Sequence, residues 1–441
     1  MKSLAEQTVW YQTTFENFEK NLNGEAGLEF HALRKKALAR FKELGFPTTR
    51  HEEWKFTNVA PIARAPFQPV PPGRSANILE TDLRLPDLAE NRLVFVDGHF
   101  NASLSRVRRI PDKVVIGSLA DALKRHPALV QKHLGKHAPF DENPFVALNT
   151  AFSRDGAFAW IPDGKGNDEP VHVHFIATGD EYDLISPRNL FIVGEGGRLS
   201  VIESYYALRD GAYFTNAVTE LVVGAGAVVE HDKLQDESVD SYHVSWTHSG
   251  QASRSTVTSN LIALGGSIAR SNIHASFDGE GGECTLNGLS IGTRAQLIDN
   301  HTAIDHATPR CSSHELYKAV LAGKSRGVFN GKIFVRQDAQ KTDAKQTNKT
   351  LLLSDDAVVD TKPQLEIFAD DVKCTHGATI GQLDAEQIFY LRSRGLDLLS
   401  AQDMLTFAFA ADVANRIHAK GLAERLETIV HEKLHEGRQG S

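Results

Sequence analysis

Two hydrophobic periods divide the chain. Near the start, "LEFHALRKKALARFKELGF" carries Leu28, Leu33, Leu38 and Phe41 at three- to five-residue steps. That spacing predicts a helix, with Gly45 after Leu44 as its stop. Helical stretches recur in "SLADALKRHPALVQKHL" and "ENPFVALNTAF", separated from the first by a proline-rich linker, "FQPVPPGRSAN" (67–77). From about residue 157 the period falls to two. "AFAWI", "VHVHFIA", "NLFIV" and "RLSVIESYY" are short alternating runs punctuated by Gly, Asp or Pro, and they predict strands. This texture continues to about residue 383. The remainder returns to helix: Asp384 with Gln387 suits a cap and Gly395 a stop, Ser400 with Asp403 suggests the next start, and Gly421 after His418 and Lys420 suggests its end. Leu405, Ala408, Phe409, Val413 and Ile417 would form the apolar face. The pattern divides the chain into a mostly helical region (1–156), a β core (157–383) and a helical C-terminal region (384–441).

A weak repeat tells what kind of β core this is. "GGRLSVIE", "AGAVVEHD", "GGSIARSN" and "GGECTLNG" each place a Gly turn before a strand. Aligned on the second glycine of each turn, they put Leu199, Val228, Ile268 and Cys284 at one inward position. Stacked coils of a parallel β-helix produce such a picture, because each short strand buries its inward residues against the coils above and below. A β-sandwich competes, but clean two-residue hairpin turns are missing.

Charge and composition then narrow the function classes. Net charge is −8, from 48 basic and 56 acidic residues, which argues against a nucleic-acid-binding protein. No run approaches the ~20 apolar residues that span a bilayer. The N-terminal stretch carries Glu6, Glu16 and Glu19 where a secretion signal would be apolar, so a cytoplasmic location is expected. Three cysteines, Cys284, Cys311 and Cys374, fit a reducing compartment and exclude four-cysteine ligation within one chain.

Candidate chemistry is sparse. Cys284, at an inward repeat position, reads as core. "DNHTAIDHATPRCSSH" gathers Asp299, His301, Asp305, His306, Cys311 and His314, but alternation sends His301 and Asp305 to one face and His306 to the other. A hydrogen-bonded polar ladder on the solenoid surface is expected there instead of a metal site. Gly323-Lys324-Ser325 ends like a phosphate-binding loop, yet Lys318 stands where the first glycine should be. In "VKCTHGATIG", Cys374 and His376 share a strand face about 7 Å apart along the chain. Both suit iron or an iron–sulfur species, and Asp370 and Asp371 could add oxygens. Two such ligands make half a site. The bland alternative is a buried cysteine beside a hydrogen-bonded histidine.

Residues 340–396, from "QKTDAKQTNKTLLL" through "ADDVKCTHGATIGQLD" to "FYLRSRGL", closely resemble the core of the SufB/SufD family of iron–sulfur cluster assembly proteins. "RHEEWKFTNVAPI" (50–62) and "GQLD" are similar to the SufD branch; this motif and the count of three cysteines disfavour the SufB branch. The resemblance implies a right-handed parallel β-helix flanked by N- and C-terminal helical domains. It implies a non-catalytic scaffold that pairs with SufB through the late end of the β-helix and docks the ATPase SufC through its C-terminal helices. It places His376 and Cys374 at the SufB–SufD interface as ligands of a transient iron–sulfur cluster or iron. A reduced flavin is implied for the assembled complex, with no cofactor in the isolated chain, whose unpaired edge leaves a homodimer open. Thr375 departs from the serine of many relatives, on the face away from the presumed metal. Outside this family, the competing class is a β-helical carbohydrate-active enzyme with a carboxylate row.

Overall fold

A computed structural model describes residues 4–22, 27, 29–73, 78–86, 88–166 and 169–439. Leu28 and the 74–77 part of the linker therefore lie outside the described residues.

The β core is a parallel β-helix of about eight turns. Strands alternate between two sheets, so each turn contributes one strand to each. One sheet runs from Val115–Ser118 and Ala157–Ile161 to Val358–Ile367, the other from Asn91–Val96 and Val171–Ala177 to Lys373–Gly381. Every pairing between successive turns is parallel. The sandwich alternative fails on this point. Among the described residues, antiparallel ladders occur only at the early end, where Val115–Ser118 meets Ala157–Ile161 and Asn91–Val96 meets His99–Phe100. The sheets thus reach back into the region read as mostly helical.

A repeated corner sets the register. Two residues before six successive strands of the second sheet, from Arg198–Ala207 to Asp343–Leu352, the backbone turns left-handed: Gly196, Gly226, Arg254, Gly281, Arg310 and Lys341 all have positive φ. Each corner N–H donates to a carbonyl of the next turn, as Gly196 does to Ala225 (2.8 Å) and Gly226 to Ser253 (2.8 Å). The corner accepts non-glycine residues at half its occurrences, which blurs the repeat in the sequence. The expected alignment needs correcting in consequence. Leu199 pairs with Val229, not Val228, and the inward column continues through Val257 and Cys284. Ile268 belongs to the other sheet, beside Tyr242 and Leu297.

Helices cover the two outer faces. Leu4–Lys20, Glu29–Leu44 and Pro144–Phe152 bury Tyr11, Phe15, Phe41, Phe145 and Phe152 against Phe214 and Val244 of the first sheet. Gly45 ends the second of these with φ 63°. At the other side, Leu398–Ala414 and Lys420–Gln439 pack Ala410, Val413, Leu422 and Leu426 on Leu316, Val320 and Leu351. Asp384 caps Ala385–Ser393 and Gly395 follows its end with φ 98°. Three C-terminal expectations shift. The next cap is Asp397, which accepts from the Ser400 N–H (2.9 Å), three residues ahead of the expected start. Its buried face runs through Ala401, Thr406, Ala410 and Val413, leaving Ala408 exposed. Gly421 sits in the first turn of the last helix instead of closing one.

Candidate metal centre

Cys374 and His376 lie in Lys373–Gly381, the last strand of the second sheet. Register fixes their direction. Cys374 pairs with Ala344 and His376 with Gln346, both buried inward-facing residues of Asp343–Leu352. The two candidate ligands therefore point towards the interior of the solenoid, at its open mouth, and Thr375 points outward beside exposed Lys345. Cys374 is half-buried against Ile333, Val335, Ala339 and Ala369, whereas His376 is exposed. Burial pushes the Cys374 thiol above its ordinary value, aided weakly by Asp343 and opposed by a hydrogen bond with the Ala344 backbone. The thiol is thus protonated near neutral pH, and a metal would have to displace that proton.

The mouth itself is unpaired. Val358–Ile367 and Lys373–Gly381 each form the last member of a sheet, so ten- and nine-residue edges present free backbone groups. Pro363, which cannot donate to a ladder, is tolerated at such an edge. Val358, Ile367, Phe368 and Ile380 are exposed around it. Among the described residues no group of three or more His, Cys, Asp or Glu side chains is placed to hold a metal ion. Asp371 pairs with Lys341 and does not join Cys374 and His376.

The other sequence candidates resolve differently. Asp299 and His301 face outward, but under the N-terminal region and not on open surface. Arg270 (2.9 Å) and Thr57 (2.5 Å) donate to one oxygen of Asp299, and His301 lies 3.0 Å from the other. The Arg270 guanidinium also stacks 3.7 Å over the Trp54 ring. His306 points inward and bonds Ser313 (2.9 Å), as alternation required. Cys284 and Cys311 are buried, with the Cys284 thiol raised by burial. Gly323-Lys324-Ser325 is a solenoid corner: Gly323 has φ 64° and the Ser325 hydroxyl donates to the Gly292 carbonyl (3.1 Å).

Residues 175–409 match the family described as "SUF system FeS cluster assembly, SufBD core domain", and residues 5–173 match "SufBD protein N-terminal region". The chain belongs to the SufBD family. It is 33% identical over 405 residues to the iron–sulfur cluster assembly protein SufD of Escherichia coli, covering 90% of this chain and 91% of that one. A SufBD family protein of Synechocystis is 33% identical over 398 residues, 88% and 87% of the two chains. SufD of Bacillus subtilis is 25% identical over 415 residues, 91% and 93%. Family membership supports a role in iron–sulfur cluster assembly and a scaffold-type subunit, and sets aside the carbohydrate-active alternative.

Sequence reasoning missed one chemical feature of this SufBD chain. Inside the early turns lies a buried network of ionisable groups. Glu203 accepts from Tyr205 (2.7 Å) and Thr219 (2.9 Å) and meets His231 (3.1 Å). Lys233 meets His243 (2.9 Å), which meets Glu237 (2.6 Å). The signal was present in "VIESYY" and "EHDKLQD", where charged residues alternate in step with Val201 and Tyr205, on the inward face. A strand pattern alone assigns such charges outward.

Proposed function

We propose that this chain is the SufD-type scaffold of a SUF assembly complex, contributing half of a transient metal site at the junction with a SufB-type paralogue. The observation that carries this reading is the mouth of the solenoid. Two free strand edges surround an inward-facing thiol and imidazole, and a ligand set that is incomplete in one chain is completed by the neighbour that pairs those edges. Iron and sulfide are the cargo; the thiolate and the neutral imidazole supply soft and borderline donors to the forming cluster. ATP chemistry is left to a SufC-type ATPase, since the one phosphate-loop-like stretch here is a structural corner. In this reading the ATPase docks on the C-terminal helices, where Phe389, Tyr390, Leu398, Leu399 and Met404 are exposed. Those helices are tied to the solenoid by Lys318, which pairs with Asp412 (2.8 Å) and donates to the Phe409 carbonyl (3.0 Å). A pull on them therefore bears on the strands behind the mouth. ATP-driven movement would open the junction only through its different affinity for the closed and open states. A reduced flavin, in this reading, is held by the assembled complex and not by this chain alone. The complex acts in the cytoplasm.

The test is His376→Ala in the complex of all three proteins. The variant should assemble with its paralogue and ATPase at wild-type stoichiometry yet build no cluster on the scaffold, read by visible absorbance and acid-labile sulfide. Cluster formation at the wild-type rate would end the assignment.

A further inference from the structure

Under the C-terminal helices the outer face of the second sheet carries one polar column. Asp232, Asn260 and Asn287 stand at the same position of three successive strands, and all three are buried. The Asn287 amide donates to the Asn260 oxygen (2.8 Å), and the Asn260 amide donates to the Asp232 carboxylate (2.7 Å). The column is apolar at both ends, with Ile202 before Asp232 and Leu316 after Asn287. Two residues further along each strand, Leu234, Ile262 and Leu289 share one buried cluster with Ala410 and Val413 of Leu398–Ala414 and Leu422 of Lys420–Gln439.

Each amide donates to the next oxygen, so the ladder ends on an acceptor, and here that acceptor is a carboxylate. The cations along this seam go to other carboxylates. His418, in the turn between the two long helices, meets Glu230 (3.0 Å). Lys318 (2.8 Å) and Arg416 (3.4 Å) both meet Asp412. Arg84 (2.9 Å) and Lys433 (3.4 Å) both meet Asp236, four residues beyond Asp232 on the same strand. A carboxyl group shut in with one neutral amide donor costs far more as an anion than as an acid. Burial accordingly pushes the Asp232 carboxyl up to about 6, against the Asn260 hydrogen bond. Three charged or titratable groups bear on it besides: His231 on its own strand, which turns inward to Glu203, Glu230 on its own face, and His418 from the helix turn.

We propose that Asp232 is a proton-linked latch: seating the C-terminal helices on the second sheet takes up a proton at this carboxyl, and lifting them releases it. On lifting, water reaches the carboxyl, its O–H bond breaks and the proton passes to solvent, with no other bond made or broken. A carboxyl raised in the seated state favours seating fully below pH ~4 and loses that contribution as pH rises through 6. At neutral pH the seam therefore encloses a charge it disfavours, and the helices stand closer to release than their apolar contacts alone would set them. The latch needs neither a metal at the mouth nor a bound partner, so it stands or falls apart from the function proposed above.

Hydrogen–deuterium exchange of the full-length protein, read by mass spectrometry and corrected for intrinsic rates, tests this. Peptides from residues 398–434 should lose about tenfold in protection between pH 5 and pH 8, measured against Phe214–Val223 of the early solenoid. Asp232→Asn keeps an oxygen for Asn260 and carries no charge at either pH. In that variant the loss should vanish, and protection at pH 8 should rise at least tenfold above wild type. Glu230→Gln, which weakens the neighbouring tie to His418, should keep the loss. Wild-type protection that stays level across this range would overturn the latch. So would an Asp232→Asn variant that loses as much as wild type, or a Glu230→Gln variant that loses nothing.

Discussion

Arg270 shows how much one side chain holds in this fold. It donates to Asp299, to the Glu53 carbonyl (2.7 Å) and to Asn272 (3.1 Å), and lies flat on Trp54. Burial opposes the Asp299 charge, yet His301 and Arg270 hold its carboxyl down at about 2. Arg270→Ala leaves that charge buried with one partner fewer. The variant should lose about 3–5 kcal/mol in denaturant unfolding. Arg270→Lys should recover little of it, because an ammonium neither stacks nor forks. A loss below about 1 kcal/mol for Arg270→Ala would show the network to be dispensable. Two interior glutamates make opposite pH predictions. Burial disfavours the Glu203 charge, but His231 and Lys233 outweigh it and set the carboxyl at about 2. Its contribution to stability is therefore present above pH ~4 and lost as pH falls towards 2. Glu315, raised to about 7, stabilises the fold below pH ~4 and loses that contribution as pH rises through 7. Relative to wild type, Glu315→Gln should gain about 3 kcal/mol between pH 5 and pH 8, read from urea midpoints. A constant difference would refute the buried, neutral Glu315.

At the level of elements, residues 50–62 act as a clasp laid across the outer face of the first sheet. Trp54 covers Arg270, Thr57 reaches Asp299, Glu53 meets His301 (3.3 Å), and Glu52 pairs with Lys362 of the last turn. The sequence displayed this stretch as a motif without its purpose, because its partners lie more than 200 residues away. Strands were legible because alternation with short turns has few other readings: Ala157–Ile161 and Val171–Ala177 have the bounds that the pattern drew. The repeat register was less so, since Arg254, Arg310 and Lys341 occupy corners where glycine would have advertised the turn. The start of Leu398–Ala414 was misplaced because Ser400 resembles a cap, whereas it donates its backbone N–H to the true cap, Asp397. The direction of Cys374 and His376 followed from alternation. That the shared face is the interior could not, since polar Gln346 and Glu315 fill the same column. Exposed apolar residues on these last helices carry a prediction of their own. Phe389 is 75% exposed and Leu399 58%. If the proposed SufC-type ATPase docks here, Phe389→Asp with Leu399→Asp should weaken its binding at least tenfold by calorimetry, with melting unchanged, because both side chains are exposed. Undiminished binding would move the docking surface elsewhere.

Across the whole molecule the solenoid is asymmetric. Its early end is closed by antiparallel strands, which turn the sheets back and leave short edges. Among the described residues its late end has no such closure: two long edges end the sheets, with Phe368 58% and Ile380 48% exposed. Unprotected edges of this length invite pairing, and folds that work alone blunt them with charge, bulges or a covering helix. The edge strands here do carry charges, but Lys332 with Glu366 (2.7 Å) and Arg326 with Asp360 (2.5 Å) pair them within the solenoid, which leaves the backbone rim free to accept a neighbour. The apolar residues at the rim should then be where a paralogue gains its contact area. Phe368→Lys with Ile380→Lys places two ammonium groups at that rim, at exposed positions outside the buried core. The double variant should melt within about 2 °C of wild type, as surface changes usually do. It should bind the SufB-type partner at least tenfold more weakly in analytical ultracentrifugation. Wild-type affinity would mean that the two chains meet elsewhere, and a thiol and imidazole at an unvisited mouth could then not be half of a shared site.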